Sequence, residues 1–422
     1  MTRKFLLATL ALFTLGTLGK TAESLAPLMG DFSKFDQRAR AGEHLNVVFL
    51  GGSLTWGSGA TDPQLFSYRA LVGRRLEEHY PQAHFTFWDS AIGGTSSNLA
   101  AFRLQRDVIA HRPDLVFIDF TINDGPYDVD DEKLASYESL TRRVLIETGA
   151  PVELVILAVK PDLELANRKP RPRDAKHKEV AAAYNTPLAD AVAYMNAEVQ
   201  KGRYTTDEMW PNVPDTTHPG NKGYQLYSEA VMQSFLDAVA RKQVCRVPDK
   251  MLFADTFMTW KRQHLSELTP LPSGWSVGLP STLGVAFDFY MSRWLDDITV
   301  ATPGAQPFRV KINAKTVMLF GELTPKSGKF LVTIDGKPAI SPDSKDGIYD
   351  PLPMRMTGNM HLVKVLATNL DPGVTHMLEI VPQLEHVAPP PLDGKPQPEY
   401  DQVVRIESLC VAGGPASIER AP

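Results

Sequence analysis

No long run of Lys or Arg occurs in this sequence, and the formal net charge is only −5. Both facts argue against nucleic acid as the natural partner. No internal repeat or long low-complexity tract is present. Beyond the N-terminus, no segment is long and apolar enough to cross a bilayer, and no cysteine follows the N-terminal apolar run, which argues against a lipoprotein anchor. Cysteine is scarce throughout: Cys245 and Cys410 are the two in 422 residues. In an oxidising compartment they are free to pair. A bridge would close a long loop, for which chain entropy gives roughly 4–5 kcal/mol; two independent buried thiols are the alternative. His44, His79, His84 and His111 form no spaced ligand set with carboxylates, so no metal and no cofactor is expected.

What is present begins with Met1-Thr2-Arg3-Lys4, a positive start, followed by the uncharged apolar stretch Phe5 to Gly19 and then small residues. This is the layout of a secretory signal peptide, expected over residues 1–22, with an uncleaved anchor as the alternative. It implies a secreted or periplasmic protein with no stable membrane partner once the signal is removed. Hydrophobic residues at 43% and charged residues at 22% are ordinary for a globular protein, and the length favours two domains. We expect these over residues 23–243 and 244–422.

The first half alternates short apolar runs with amphipathic stretches. Leu45–Leu50, Phe85–Trp88, Leu115–Phe120, Val152–Val159 and a run around Thr186–Asp190 read as strands. Helices are expected near Leu65–His79, Asn98–His111, Asp131–Thr148 and Tyr224–Ala240. Near-continuous apolar strands separated by helices require a parallel sheet covered on both faces, hence a three-layer α/β domain with its sites at the carboxyl ends of the strands. Past Cys245 the pattern becomes one of strands punctuated by Gly and Pro, with Asp335-Gly336 as a hairpin signal. That indicates an all-β sandwich of jelly-roll type. No Gly/Ser-rich spacer separates the halves, so the second should be docked rather than tethered.

Ser53 follows the first strand in Gly51-Gly52-Ser53-Leu54-Thr55. Glycines on such a turn allow close approach of backbone and substrate, and a following helix aims N–H groups at a developing oxyanion. Taken alone, the block fits an anion-binding or plain turn equally well. Asp215-Thr216-Thr217-His218-Pro219 precedes the last helix of the domain. Imidazole is suited to take a serine proton near neutral pH, and a nearby carboxylate can hold its tautomer. Pro219 biases His218 toward an extended conformation, so the segment should be a loop; a turn-capping Asp beside a surface His is the bland alternative. Gly93-Gly94-Thr95 follows the second strand and Thr121-Ile122-Asn123-Asp124-Gly125 the third. Each alone is an ordinary turn. Their order makes the difference, because successive connections carry Ser, Gly and Asn and the final loop carries His. Asp124, Asp128, Lys160 and the basic stretch Arg168–Arg173 read as solvated loop residues. Core packing is the default for Trp56 and Tyr68.

Ser53, Gly94, Asn123 and His218 fall in the order that names the SGNH hydrolases, or GDSL esterases, and the sequence resembles that family from about Leu45 to Ala240. The resemblance implies a flavodoxin-like three-layer domain. It further implies Ser53 as nucleophile, His218 as base, Asp215 as its orienting acid, and an oxyanion hole from Ser53, Gly94 and Asn123. Two departures stand out: Gly52 replaces the Asp of the family name, and Thr121-Ile122 precedes Asn123 where a glycine is frequent. With an appended sandwich, the chain resembles secreted carbohydrate esterases that remove acetyl groups, so an acylated carbohydrate is the expected substrate. A lipase, thioesterase or acyltransferase on the same scaffold, and a carbohydrate-binding protein with a relic triad, are the competing readings.

Overall fold

Five apolar runs meet as one parallel sheet in the N-terminal half. The computed structural model describes residues 30–422 apart from 165, 167, 282–293, 352–359 and 390–394; the expected signal peptide lies outside the described residues. The strands are β1 (His44–Gly51), β2 (His84–Ala91), β3 (Leu115–Asp119), β4 (Val152–Ile156) and β5 (Leu188–Asp190). Their spatial order is β2-β1-β3-β4-β5, the flavodoxin-like order. Leu45, Val47, Val48, Phe49 and Leu50 are all buried, as a strand covered on both faces requires. Gly51 stands opposite Ala91 on one side and Asp119 on the other. Three connections therefore leave the sheet at one level, beside the point where strand order reverses.

The helices are α1 (Phe32–Arg40), α2 (Ser53–Trp56), α3 (Pro63–Phe66), α4 (Tyr68–His79), α5 (Ser97–Asp107), α6 (Asp131–Thr148), α7 (Lys160–Leu163), α8 (Pro172–Tyr184), α9 (Ala191–Gln200), α10 (Thr206–Met209) and α11 (Asn221–Ala240). α1, α4 and α9 pack on α11, while α5 and α8 pack on α6. The helix expected over Leu65–His79 is broken at Ser67, whose extended backbone and side chain, accepting from the Ala70 N–H, make it the N-cap of α4.

The C-terminal half holds β6 (Trp260–His264), β7 (Trp275–Gly278), β8 (Ile298–Ala301), β9 (Phe308–Asn313), β10 (Thr316–Leu323), β11 (Lys329–Ile334), β12 (Lys337–Pro338), β13 (Ile348–Tyr349), β14 (Met360–Ala367), β15 (His376–Gln383), β16 (His386–Val387), β17 (Tyr400–Asp401), β18 (Val404–Ala412) and β19 (Ser417–Arg420). They form two larger antiparallel sheets, β14-β10-β18-β8-β7 with β6 on β18, and β12-β11-β15-β9-β19 with β13 on β11. Asp335 and Gly336 both take positive φ, at 52° and 74°, and join β11 to β12 as a primed turn does. The sandwich has its own apolar core, which includes Phe308, Val310, Leu319, Val332, Ile380 and Ile406.

The two halves share apolar packing. One buried cluster runs from the α/β core through Phe257, Trp294, Ile298, Met318, Phe320 and Cys410. Phe102 meets Phe257 edge-on at 5.8 Å between centroids, and the Arg143 guanidinium lies 4.7 Å from the Trp260 ring centre. Glu138 of α6 accepts from the Leu252 and Phe253 N–H groups, both at 2.8 Å. The connection is thus a packed surface, as the absence of a spacer suggests.

The possible disulfide is not formed. Cys245 and Cys410 are both buried free thiols. The Cys245 thiol faces the Val152 carbonyl at 3.8 Å inside the α/β domain, whereas Cys410 sits in β18 opposite Met318 and Arg262. Separation along the chain fixes no side-chain geometry, and here the fold uses each cysteine as a small core residue. Burial pushes both thiols up to about 12, so neither is reactive in the folded protein. A thiol reagent should titrate two groups per chain after denaturation and close to none before it.

Candidate active site

β1 delivers Gly51-Gly52 to the sheet edge, and Ser53 is the first residue of α2. The turn is tight because Gly52 has no side chain: a Cβ there would lie 2.0 Å from Asn123 Oδ1 and 2.7 Å from its Cγ. The Asn123 carboxamide thus rests against the backbone just before Ser53. That contact accounts for glycine at this position.

His218 reaches Ser53 from the loop before α11. Its Nε2 lies 2.9 Å from Ser53 Oγ, and its Nδ1 lies 2.7 Å from Asp215 Oδ2. Asp215 Oδ1 accepts from the backbone N–H groups of Thr217 at 2.8 Å and His218 at 3.0 Å. The segment is a loop, as the Pro after His218 requires. It is anchored where the Lys160 N–H donates to the Thr216 carbonyl at 2.9 Å. Behind it, Gly59 sits at φ 89°, and a Cβ there would press on His218 Cβ at 3.1 Å and on the Pro219 carbonyl oxygen at 2.7 Å. Partial burial raises the Asp215 carboxyl, but the hydrogen bonds from His218 and Thr217 outweigh it and hold the group below the ordinary carboxylate range. It is therefore an ionised acceptor at neutral pH.

Gly93-Gly94 leaves β2 in a turn closed by the Thr95 N–H and the Ile92 carbonyl at 3.4 Å. Gly94 is the third residue, at φ 71°, a position that type II turns reserve for glycine. Its own N–H is outside the turn's closing bond. This turn is tied to the Asn123 loop twice: Ser96 Oγ donates to the Asn123 carbonyl at 2.8 Å, and the Ser97 N–H to Asp124 Oδ1 at 2.9 Å. All five residues singled out in the sequence stand at the same sheet edge, Ser53 at the start of α2 and Gly94, Asn123, Asp215 and His218 on loops.

Several supporting residues escape sequence reading. Asp124 is fully buried rather than solvated, because its carboxylate caps the start of α5. The basic stretch is also structural. Arg173 is buried and donates to the Gly125 carbonyl at 2.6 Å and to Asp128 at 3.2 Å. Arg171 pairs with Asp162 and, at 2.8 Å, with Asp174. Arg173 thus braces the loop that carries Asn123, while Arg171 ties the start of α8 to α7. On the other side of the nucleophile, Thr55 of α2 lies 3.4 Å from Asp119 Oδ2 and 3.1 Å from the hydroxyl of buried Tyr68. These links fix α2 to the end of β3, and no local motif announces them.

Burial pushes Asp119 up to about 6 against its bonds from Thr121, and Asp124 up to about 6 against bonds from Ser97 and the charges of Arg173 and Lys133. In the unfolded chain each carboxyl titrates near 3.8. Between those values the folded state binds the extra proton, so stability falls as pH rises through that window, and the full penalty is reached above it. Replacing Asp124 by Asn removes its share. The stability difference between Asp124→Asn and wild type should move in the variant's favour by about 2 kcal/mol from pH 4 to pH 8. Urea unfolding at the two pH values measures it, and a constant difference would contradict the burial argument.

Among the described residues, His264, Asp296 and Glu407 bring possible ligand atoms within 4.8 Å of one another. Their carboxylates already pair with cations, Asp296 with Arg106 at 3.3 Å and Glu407 with Arg262. The set reads as an ion-pair network.

Residues 49–226 match the model of the GDSL-like lipase/acylhydrolase family. An acetylxylan esterase of Geobacillus stearothermophilus is 27% identical over 213 residues, spanning 46% of this chain and 95% of that protein. A solved two-domain esterase active on acetylated mannans has a similar fold. Co-crystallised with mannopentaose, it aligns with a TM-score of 0.62 at 21% identity, covering 93% of this chain and 98% of that one. Without that ligand the TM-score is 0.63 at 21% identity, covering 91% and 98%. Over residues 49–226, the stretch that places Ser53, His218 and Asp215 at the sheet edge, the chain is similar to the GDSL-like lipase/acylhydrolase family.

Proposed function

We propose that the protein is an exported serine esterase that removes acetyl groups from a polysaccharide. The observation that carries this reading is the continuous array from Asp215 through His218 to Ser53, with contacts of 2.7 and 2.9 Å. His218 takes the Ser53 proton as Oγ bonds to the acyl carbon, and Asp215 stabilises the imidazolium. The carbonyl π pair moves to oxygen, giving an anion that accepts from the Ser53 and Gly94 N–H groups and the Asn123 side-chain amide. His218 then protonates the sugar oxygen as the C–O bond breaks, leaving an acetyl ester on Ser53. Water, deprotonated by His218, attacks that ester, and acetate leaves as Ser53 regains its proton.

The relatives active on acetylated xylan and acetylated mannans support a carbohydrate ester as substrate. The signal-like N-terminus supports export, since polysaccharide lies outside the cell. Acyl preference tests the reading. Hydrolysis of p-nitrophenyl acetate should exceed that of the octanoate at least about tenfold in kcat/KM, because no long apolar lid sequence lies near the site loops. Acetate release from acetylated xylan or mannan should accompany it. Efficient turnover of the octanoate with no acetate released from either polysaccharide would favour a lipase instead.

A further inference from the structure

Tyr127 inverts the usual placement of its side chain. A tyrosine at a protein surface normally buries its ring and leaves the hydroxyl in water. Here the hydroxyl donates to Asp162 Oδ1 at 3.1 Å, while the residue stays 41% exposed. Asp162 is buried and itself held, since its Oδ2 accepts from the Val159 N–H at 2.8 Å and pairs with Arg171. The backbone leading into Tyr127 is held as well. Arg173 donates to the Gly125 carbonyl through Nε at 2.6 Å, and to the Pro126 carbonyl through its backbone N–H at 3.4 Å. An aromatic ring is thus fixed at both ends and kept out of the core. The ammonium of exposed Lys169 lies 5.7 Å from the ring centre, so a π face, and not only an edge, is turned outward.

The ring stands beside the catalytic residues. It borders a cavity of about 520 Å³ with Ile122, which precedes Asn123, and with Thr216 and Thr217, which precede His218. Hydrogen bonds tie the same parts together. The Thr216 carbonyl accepts from the Lys160 N–H at 2.9 Å, and Lys160 and Asp162 both belong to α7. One short helix therefore anchors the catalytic loop and the Tyr127 ring, and holds them in fixed relation. In the mechanism above His218 gives its proton to the sugar oxygen, so the sugar leaves on the side where the His218 loop stands. A pyranose presents an apolar face of C–H groups that an aromatic ring can cover. A ring already set in one orientation covers it with little loss of rotamer freedom. We propose that Tyr127 is the stacking platform for the sugar ring that carries the scissile acetyl ester. This rests on the esterase reading given above and assigns its leaving-group subsite.

The test uses the full chain and one readout, acetate release, on two kinds of ester. Acetylated xylo- and manno-oligosaccharides reach the ring; ethyl acetate has an alcohol too small to do so. In Tyr127→Ala we expect KM for the oligosaccharides to rise about tenfold with kcat within about threefold. The ratio of kcat/KM on oligosaccharide to that on ethyl acetate should fall accordingly. Tyr127→Phe keeps the ring and should stay within about threefold of wild type. An unchanged ratio in Tyr127→Ala would overturn the inference, whether both esters lose activity equally or neither does. So would a Phe variant as weak as the Ala variant, which would place the effect in the hydroxyl and its hold on Asp162. The wild type separates this claim from the reading beneath it. If it releases acetate from ethyl acetate but from neither oligosaccharide, the carbohydrate reading fails and takes the role of Tyr127 with it. If it acts on an oligosaccharide and the ratio does not move in Tyr127→Ala, only the role of Tyr127 fails.

Discussion

Ser53→Ala should lower kcat on p-nitrophenyl acetate by about 10³-fold or more, with circular dichroism and thermal unfolding unchanged. In the proposed mechanism the Ser53 oxygen becomes the acyl ester oxygen, so nothing nearby can replace it. Its removal leaves no hole of consequence, since Ser53 lies at the start of a four-residue helix at the sheet edge. His218→Ala should be comparably severe, and the double variant no worse than either single one, because residues that act as a unit lose their effect together. Asp215→Ala should be milder by one to two orders of magnitude. Its carboxylate orients a ring that Ser53 and the loop also hold, and it is substantially solvent-exposed, at 41% of its side chain. Independent, additive losses would remove these residues from a common proton path.

Asn123→Ala should cost about 10²–10³ in kcat, the range for removing one side-chain donor from an oxyanion hole, with KM little changed. The carboxamide lies against Gly52, so its truncation opens space beside the nucleophile without touching the Ser53–His218 contact of 2.9 Å. Asn123→Asp should be worse than Asn123→Ala. A carboxylate of similar shape would place negative charge where negative charge develops. Equal activity of the two variants would mean that Asn123 only fills space. Steady-state kinetics with p-nitrophenyl acetate distinguishes the outcomes.

The parts of this site that could be read from sequence are those written in backbone terms. A Gly-Gly-Ser after an apolar run, a Gly-Gly and an Asn after the next two, and an Asp-x-x-His-Pro before an amphipathic helix all mark loop ends. A parallel sheet then brings such ends together whatever the details. What could not be read depends on partners distant in sequence. Arg173 carries a full charge in a run of basic residues, a pattern that normally means a solvated loop. It is buried because the Gly125 carbonyl and Asp128, more than forty residues earlier, are there to receive it. Asp124 is buried for the same kind of reason, with the Ser97 N–H as its partner. The cysteines show the converse. Each suits a bridge by compartment and count, yet one belongs to the α/β core and the other to a sandwich strand. Nor does the sequence announce helices α1, α8 and α9. In α8, for example, Arg173, Asp174 and His177 lie on the buried side and weaken the apolar periodicity that would announce it.

The central claim, that Ser53 is the nucleophile activated by His218, is tested most directly by covalent trapping. The protein is incubated with diethyl p-nitrophenyl phosphate, an acyl-transfer mimic whose phosphoryl group stays on the attacking oxygen, and the product is mapped by peptide mass spectrometry. One diethylphosphoryl group per chain should appear on Ser53, should be absent from that position in Ser53→Ala, and should form far more slowly in His218→Ala. Stoichiometric labelling of another residue, or an unlabelled Ser53 in enzyme that remains sensitive to the reagent, would contradict it.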